Sequence, residues 1–238
     1  MRLDKYLANS GIGTRTEVKK IIKSKKIKVN NKIITDPSFC LDEDFAEVSF
    51  LDTKISYRPF RYIMLNKPKN VVSASYDKTY TTVIDLVKKD FSTYKLFPIG
   101  RLDIDTVGLL ILTNDGELTH NLLSPKKHIK KTYYVEYEKE MSISDINKLE
   151  KGIDLGSYIT KADAKVEILS AKSCYLTITE GKFHQIKKMF KALKNEVLFL
   201  KRVKMNKLEL DVKLNYGEYR ELTEDELKLL KDWNDIYY

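Results

Sequence analysis

The residues best suited to chemistry lie in Gly100-Arg101-Leu102-Asp103-Ile104-Asp105-Thr106-Val107-Gly108-Leu109-Leu110. Two carboxylates, an Arg and a Thr occupy a glycine-bounded loop that feeds an apolar strand, a common seat for a positioned catalytic group. Four uses of the carboxylates are open. An Asp-x-Asp pair can bind a divalent cation, although no third acidic or His ligand lies nearby. Paired carboxylates can do acid–base work on a glycosidic bond. One Asp can be a nucleophile while the other orients the loop. Alternatively, both can bond backbone amides in a turn. A second segment, Glu180-Gly181-Lys182-Phe183-His184-Gln185-Ile186-Lys187-Lys188-Met189-Phe190, places Lys187 at the border of an apolar helical stripe formed by Ile186, Met189, Phe190 and Leu193. There its stem can be buried while its ammonium pairs with a carboxylate and keeps it ionised. A third segment, Lys131-Thr132-Tyr133-Tyr134-Val135, is either an ordinary strand with aromatics on both faces or one that stacks a Tyr on a base. His120, His128 and His184 lack metal-ligand spacing, so no metal is expected.

These segments need elements to hold them. Leu3, Tyr6 and Leu7 share one helical face, Gly11 and Gly13 end that helix, and Thr14 with Glu17 forms a capping box for a second helix carrying Val18, Ile21 and Ile22. Residues 25–34 then alternate around an Asn30-Asn31 hairpin turn, and 46–50 alternate again. A linker is expected near Tyr57-Arg58-Pro59, which divides the chain into residues 1–58 and 59–238. Beyond it, strands are expected at 62–65, 109–113, 133–137 and 174–179, with short helices at 117–123 and 183–193. A final helix opens on the capping box Thr223-x-x-Glu226. The elements mingle without βαβ regularity, which predicts an α+β fold with a mostly antiparallel sheet.

Composition narrows the function classes. The chain has 238 residues, a formal net charge of +9 and 42% hydrophobic residues, enough for a real core. No apolar run has membrane-spanning length, and no secretory signal follows Met1, so a cytoplasmic protein is expected. Cys40 and Cys174 are too few and too far apart for a disulfide framework or a zinc motif. Residues 1–34 hold ten Lys/Arg against two Asp/Glu, and residues 181–207 hold nine against one. Two separated basic blocks on a net-acidic remainder point to two surfaces touching one polyanion. In the first block the helices carry Arg2, Lys5, Arg15, Lys19, Lys20 and Lys23.

Arg2-Leu3-Asp4-x-x-Leu7, Gly11, Thr14-Arg15, Ile21-Ile22 and Val29-Asn30 resemble the S4 RNA-binding module, a small αα-β fold, with Asn31 where the family usually has Gly. The rest resembles the RsuA-like branch of the pseudouridine synthases. The motifs that carry this likeness are Lys67-Pro68-Lys69-Asn70, Gly100 to Leu110 followed by Thr113 to Gly116, Lys131 to Val135, and Glu180 to Phe190. Asn70 and Asn206 stand where that family has Gly. The resemblance implies an S4-like RNA-binding domain over 1–58 and a synthase catalytic domain over 59–238. By it Asp103 is the catalytic aspartate, Tyr133 the tyrosine that stacks on the flipped uracil, Lys187 the basic partner of Asp103, and Met205 an apolar pocket residue. Arg101 helps open the RNA or hold the flipped nucleotide, while Asp105 and Thr106 belong to loop structure. RNA contacts are expected from Arg2, Lys5, Arg15, Lys19, Lys20, Arg101, Lys182, His184, Gln185 and Lys188.

The implied reaction is isomerisation of a specific uridine to pseudouridine. It exchanges an N1–C1′ for a C5–C1′ bond and requires no cofactor. The Phe183-His184-Gln185 spelling resembles the small-subunit enzymes and favours 16S rRNA, free or within a partly assembled small subunit; 23S rRNA is the alternative. A non-catalytic S4-type rRNA adaptor is a second class, opposed by the intact Asp103, Tyr133 and Lys187 set. An S4-bearing methyltransferase would want a Gly-rich loop after a strand, and the chain has only nine Gly. A monomer is the default expectation.

Overall fold

The computed structural model describes residues 1–233 and divides into two compact units. One comprises Met1–Arg61 and Val87–Leu96. Its helices are α1 (Leu3–Asn9) and α2 (Arg15–Lys23), followed by strands β1 (Ile27–Val29), β2 (Lys32–Ile33), β3 (Val48–Phe50) and β4 (Thr53–Lys54). The Thr14–Glu17 capping box starts α2 as predicted. Asn30 and Asn31, with φ of 48° and 64°, make the two-residue turn between β1 and β2. Both are left-handed, a conformation Asn tolerates better than most residues. The sheet has the antiparallel order β2-β1-β3-β4. Leu3, Tyr6, Leu7, Val18, Ile22, Ile27, Val29, Leu41 and Val48 form its core. Tyr57, in the expected linker, stacks on Tyr6 with ring centroids 4.6 Å apart and so packs with this unit. Gly11 is required: its φ is +78°, and a Cβ there would fall on the Tyr94 hydroxyl.

The other unit comprises Tyr62–Leu86 and the chain from Phe97 onward. In order it contains β5 (Tyr62–Lys67), α3 (Val83–Phe91, whose last turns belong to the first unit), β6 (Phe97–Pro98), β7 (Val107–Thr113) and α4 (Gly116–Leu123). It continues through β8 (Lys131–Tyr137), α5 (Ile143–Lys151), β9 (Lys165–Ser170), β10 (Ser173–Ile178), α6 (Gln185–Ala192), β11 (Val197–Met205), β12 (Leu208–Glu209), β13 (Tyr219–Glu221) and α7 (Glu224–Leu230). The sheet runs β13-β5-β7-β11-β8-β10-β9, with β12 on β11 and β6 on β7. Among the strands of the described residues only the β7–β11 pair is parallel, which agrees with the predicted α+β class. Every residue of β7 is buried, as befits a central strand covered on both faces. β8 alternates, with Tyr133, Val135 and Tyr137 inward and Tyr134 and Glu136 on the other face.

One core cluster gathers Met64, Leu109, Ile111, Leu118, Leu122, Met205 and Leu230 from β5, β7, α4, β11 and α7, with Ile99 just after β6. Asp115 caps α4 through Leu118 N at 2.9 Å and accepts the Tyr62 hydroxyl at 2.7 Å. Burial and that carboxylate hold the Tyr62 phenol well above its ordinary pKa. At Gly108 (φ +100°) a Cβ would lie 2.3 Å from the Arg202 carbonyl, so only glycine lets β7 approach β11 this closely. No helix among the described residues is long and apolar enough to cross a membrane.

Candidate active site

The loop from Gly100 to Thr106 is held by side chains from earlier in the chain. Lys67, at the end of β5, is fully buried. Its ammonium donates to the carbonyls of Pro68 (3.0 Å), Asp103 (3.1 Å) and Thr106 (2.9 Å). Burial lowers the Lys67 pKa to about 8, against the attraction of Asp105 and Asp103. Ser73 Oγ donates to Leu102 O at 2.9 Å and accepts from Leu102 N at 3.0 Å. Asn70 N donates to Ile104 O at 2.8 Å, and Asn70 adopts φ 65°. Asn206 is also left-handed at 55°, so both asparagines hold a backbone conformation that glycine adopts freely and Asn tolerates better than most residues. Lys67 and Ser73 are positioning residues that sequence reasoning missed; Lys67 stood only in the Lys67-Pro68-Lys69-Asn70 motif, just past the expected strand.

Clamped this way, Asp103 faces a cleft lined also by Arg101, Tyr133, Lys182, His184 and Lys187, with Leu102, Ile178 and Leu200 as apolar wall. Asp103 Oδ2 lies 3.4 Å from Lys187 Nζ, and Oδ1 lies 3.5 Å from His184 Nε2. The shortest contact of Lys187 is nevertheless with Asp105 Oδ1, at 2.5 Å. Burial opposes ionisation of Asp105, but the hydrogen bond and charge of Lys187 hold its carboxyl below the usual range. Asp105, expected to serve only loop structure, therefore shares the lysine with Asp103. The side chain of Asp103 is one-quarter exposed, open enough to reach a substrate.

Other expectations need correction. The helix begins at Gln185 rather than Phe183, because His184 takes φ 52° and breaks the turn; Phe183 is exposed and stacks on the His184 ring at 3.8 Å. Gln185 lines the same cleft but is buried, accepting from Lys182 N (3.0 Å) and donating to Glu180 Oε2 (3.0 Å). Lys188 sits over the Phe183 ring, outside the cleft lining. Met205 is fully buried in the core, and Leu200 supplies the apolar wall instead. A bulge between Arg202 and Lys204 keeps Met205 on the inward face, but it lies five residues further along β11, about 16 Å at strand rise.

In the first unit, Arg2, Lys5, Arg15 and Lys19 line one surface hollow, while Lys20 is exposed outside that lining. The buried Asp4 carboxylate accepts Arg2 at 3.0 Å, and that bond lowers its pKa. Among the described residues no three His, Cys, Asp or Glu side chains gather to hold a metal ion.

This site occurs in a chain with many relatives. The family profile described as RNA pseudouridylate synthase matches residues 61–192, and the S4 domain profile matches residues 1–44. The chain is 49% identical to an uncharacterised RNA pseudouridine synthase of Bacillus subtilis (strain 168), covering 98% of this chain and 99% of that protein. It is 38% identical to ribosomal small subunit pseudouridine synthase A of Haemophilus influenzae, covering 97% and 99%. A solved pseudouridylate synthase structure superposes with a TM-score of 0.68 at 37% identity, over 97% of this chain and 99% of that one. The clamped aspartate loop, the S4 module and these likenesses together establish that the chain belongs to the RNA pseudouridylate synthase family, in its RsuA-like branch.

Proposed function

We propose that this protein isomerises a uridine of 16S rRNA to pseudouridine with Asp103 as the catalytic carboxylate. The observation that carries the reading is Asp103 held in a cleft between an ammonium and an aromatic wall. A target uridine leaves the RNA stack at a cost of a few kcal/mol. Stacking on Tyr133, worth about 1–3 kcal/mol, offsets part of that. The Asp103 carboxylate then adds to C1′, or removes the C2′ proton, as the N1–C1′ bond breaks. The uracil turns and C5 bonds to C1′ as the Asp103–C1′ bond breaks or the proton returns to C2′; the C5 proton then leaves and N1 takes up a proton. Lys187 supplies the countercharge, and Arg101 and His184 line the entry. The 16S preference is supported by the relatives whose names specify the small ribosomal subunit.

The domain assignment follows the same reading: residues 1–58 capture RNA through Arg2, Lys5, Arg15 and Lys19, and residues 59–238 carry the chemistry. The test is tritium release from 16S and 23S rRNA transcribed with 5-tritiated uridine. Release from 16S alone is expected. Asp103→Asn should lower it at least about 1,000-fold while rRNA affinity stays within about two-fold. Release from 23S alone, or equal loss of binding and release in the variant, overturns the assignment.

A further inference from the structure

A second chamber lies against the Asp103 cleft and shares Arg101, Tyr133 and Lys182 with it. Its other cations are Lys131, Lys161 and Arg202, so five positive side chains meet one carboxylate, Glu180. That carboxylate is already engaged. Oε2 accepts Gln185 Nε2 at 3.0 Å and Lys161 N at 3.1 Å, and Oε1 lies 3.4 Å from Lys182 Nζ. Arg202 is 2% exposed; its Nε donates to Leu109 O at 2.8 Å, but its buried Nη2 has no partner. Lys131 is 8% exposed and spends two of its donors on the carbonyls of Ile129 (3.0 Å) and Thr179 (3.1 Å). Burial, with repulsion from Arg202 and Lys161, lowers its pKa to about 8. A buried guanidinium N–H without an acceptor is costly, and gathering like charges beside it compounds the cost. An anion in the chamber would relieve both.

We propose that this chamber is a phosphate subsite, formed by Arg202, Lys131 and Lys161 behind Tyr133, that holds a backbone phosphodiester of the nucleotide whose base enters the Asp103 cleft. This rests on the proposed function for the identity of the nucleotide, but not for the chemistry of the chamber. The shared Tyr133 wall distinguishes a tethered phosphodiester from a free ion, because one uridine can place its base on one side and its phosphate on the other. Arg202 also lies opposite Tyr133 in the β8–β11 register, so the phosphate would brace the strand that presents the stacking ring. The subsite would thus act in positioning the flipped nucleotide, with phosphate charge aligned before base chemistry begins.

The full-length protein is titrated with uridine, uridine 3′,5′-bisphosphate and inorganic phosphate, with binding followed by NMR. The bisphosphate is expected to bind about ten-fold or more tightly than either uridine or phosphate. Lys161→Ala and Lys131→Met should each erase most of that advantage and leave uridine affinity within about two-fold. Lys161 is only partly buried, so its variant keeps the test decisive if Lys131→Met fails to fold. Equal affinities for uridine and bisphosphate, or an advantage that survives Lys161→Ala, overturn the proposal. Inorganic phosphate binding as tightly as the bisphosphate overturns it in favour of a free-anion site. The readout is binding, so loss of the 16S activity reading in the tritium assay leaves a positive result for the chamber standing.

Discussion

Lys187 stands between two carboxylates, and its closer partner is the more exposed one. Ion pairs between exposed charges are worth little, so Asp105 is better read as steering the ammonium than as anchoring the fold. Asp105→Asn should therefore keep at least about a tenth of wild-type tritium release, where Asp103→Asn keeps almost none. Its paired carboxyl also sets a sign: the Lys187–Asp105 attraction is present above the ordinary carboxylate range and is lost as pH falls through the lowered pKa of Asp105. Lys67 works in the opposite sense. Its pKa is about 8 in the folded chain against 10.5 in the unfolded chain, so between those values the unfolded chain holds the extra proton. Stability contributed by Lys67 should then rise with pH from about 8 to 10.5. Urea unfolding of wild type and Lys67→Met at pH 7.5 and 10 checks this; the gap between them should widen at the higher pH. At pH 7.5 the variant should be about 2–4 kcal/mol less stable, because buried carbonyls lose their donor.

At the level of elements, the loop that carries Asp103 is fixed at its far end by the entry of β7 beside β11. Gly108→Ala would drive a methyl into the Arg202 carbonyl, which is backbone and cannot swing aside. It should cost about 2 kcal/mol or more, visible as a lowered melting temperature, and should reduce tritium release by displacing the loop. Helix amphipathicity, capping boxes and the Asn30-Asn31 turn were all legible in advance, because each depends on residues within a few positions of one another. The start of α6 was not. Phe183 and His184 continue a helical pattern, yet the cleft draws His184 toward Asp103 and leaves it left-handed. The same limit applies on β11, where a bulge and a fixed register give Leu200 to the cleft and Met205 to the core.

For the molecule as a whole, the two basic blocks fall on separate units. One supplies the hollow of Arg2, Lys5, Arg15 and Lys19; the other supplies Lys182, Lys187 and Arg202 around the clefts. Replacing Arg2, Lys5, Arg15 and Lys19 by Glu should weaken 16S rRNA binding. It should also flatten the dependence on log salt by about 0.7 for each single-stranded RNA phosphate that is no longer neutralised. Filter binding across a salt series checks it, and an unchanged slope would remove these residues from RNA capture. The α+β class, the central apolar strands, the helix caps and the family motifs were determined by the sequence itself, since they rest on local periodicity and on residue types at short spacing. Only the tertiary structure decided that Lys67 clasps a loop 36 residues away and that Lys187 meets Asp105 across 82 residues. It also decided that Arg202 is buried with an unpaired N–H beside the tyrosine of the cleft. Those pairings depend on the order in which strands join one sheet, and no local spacing encodes that order.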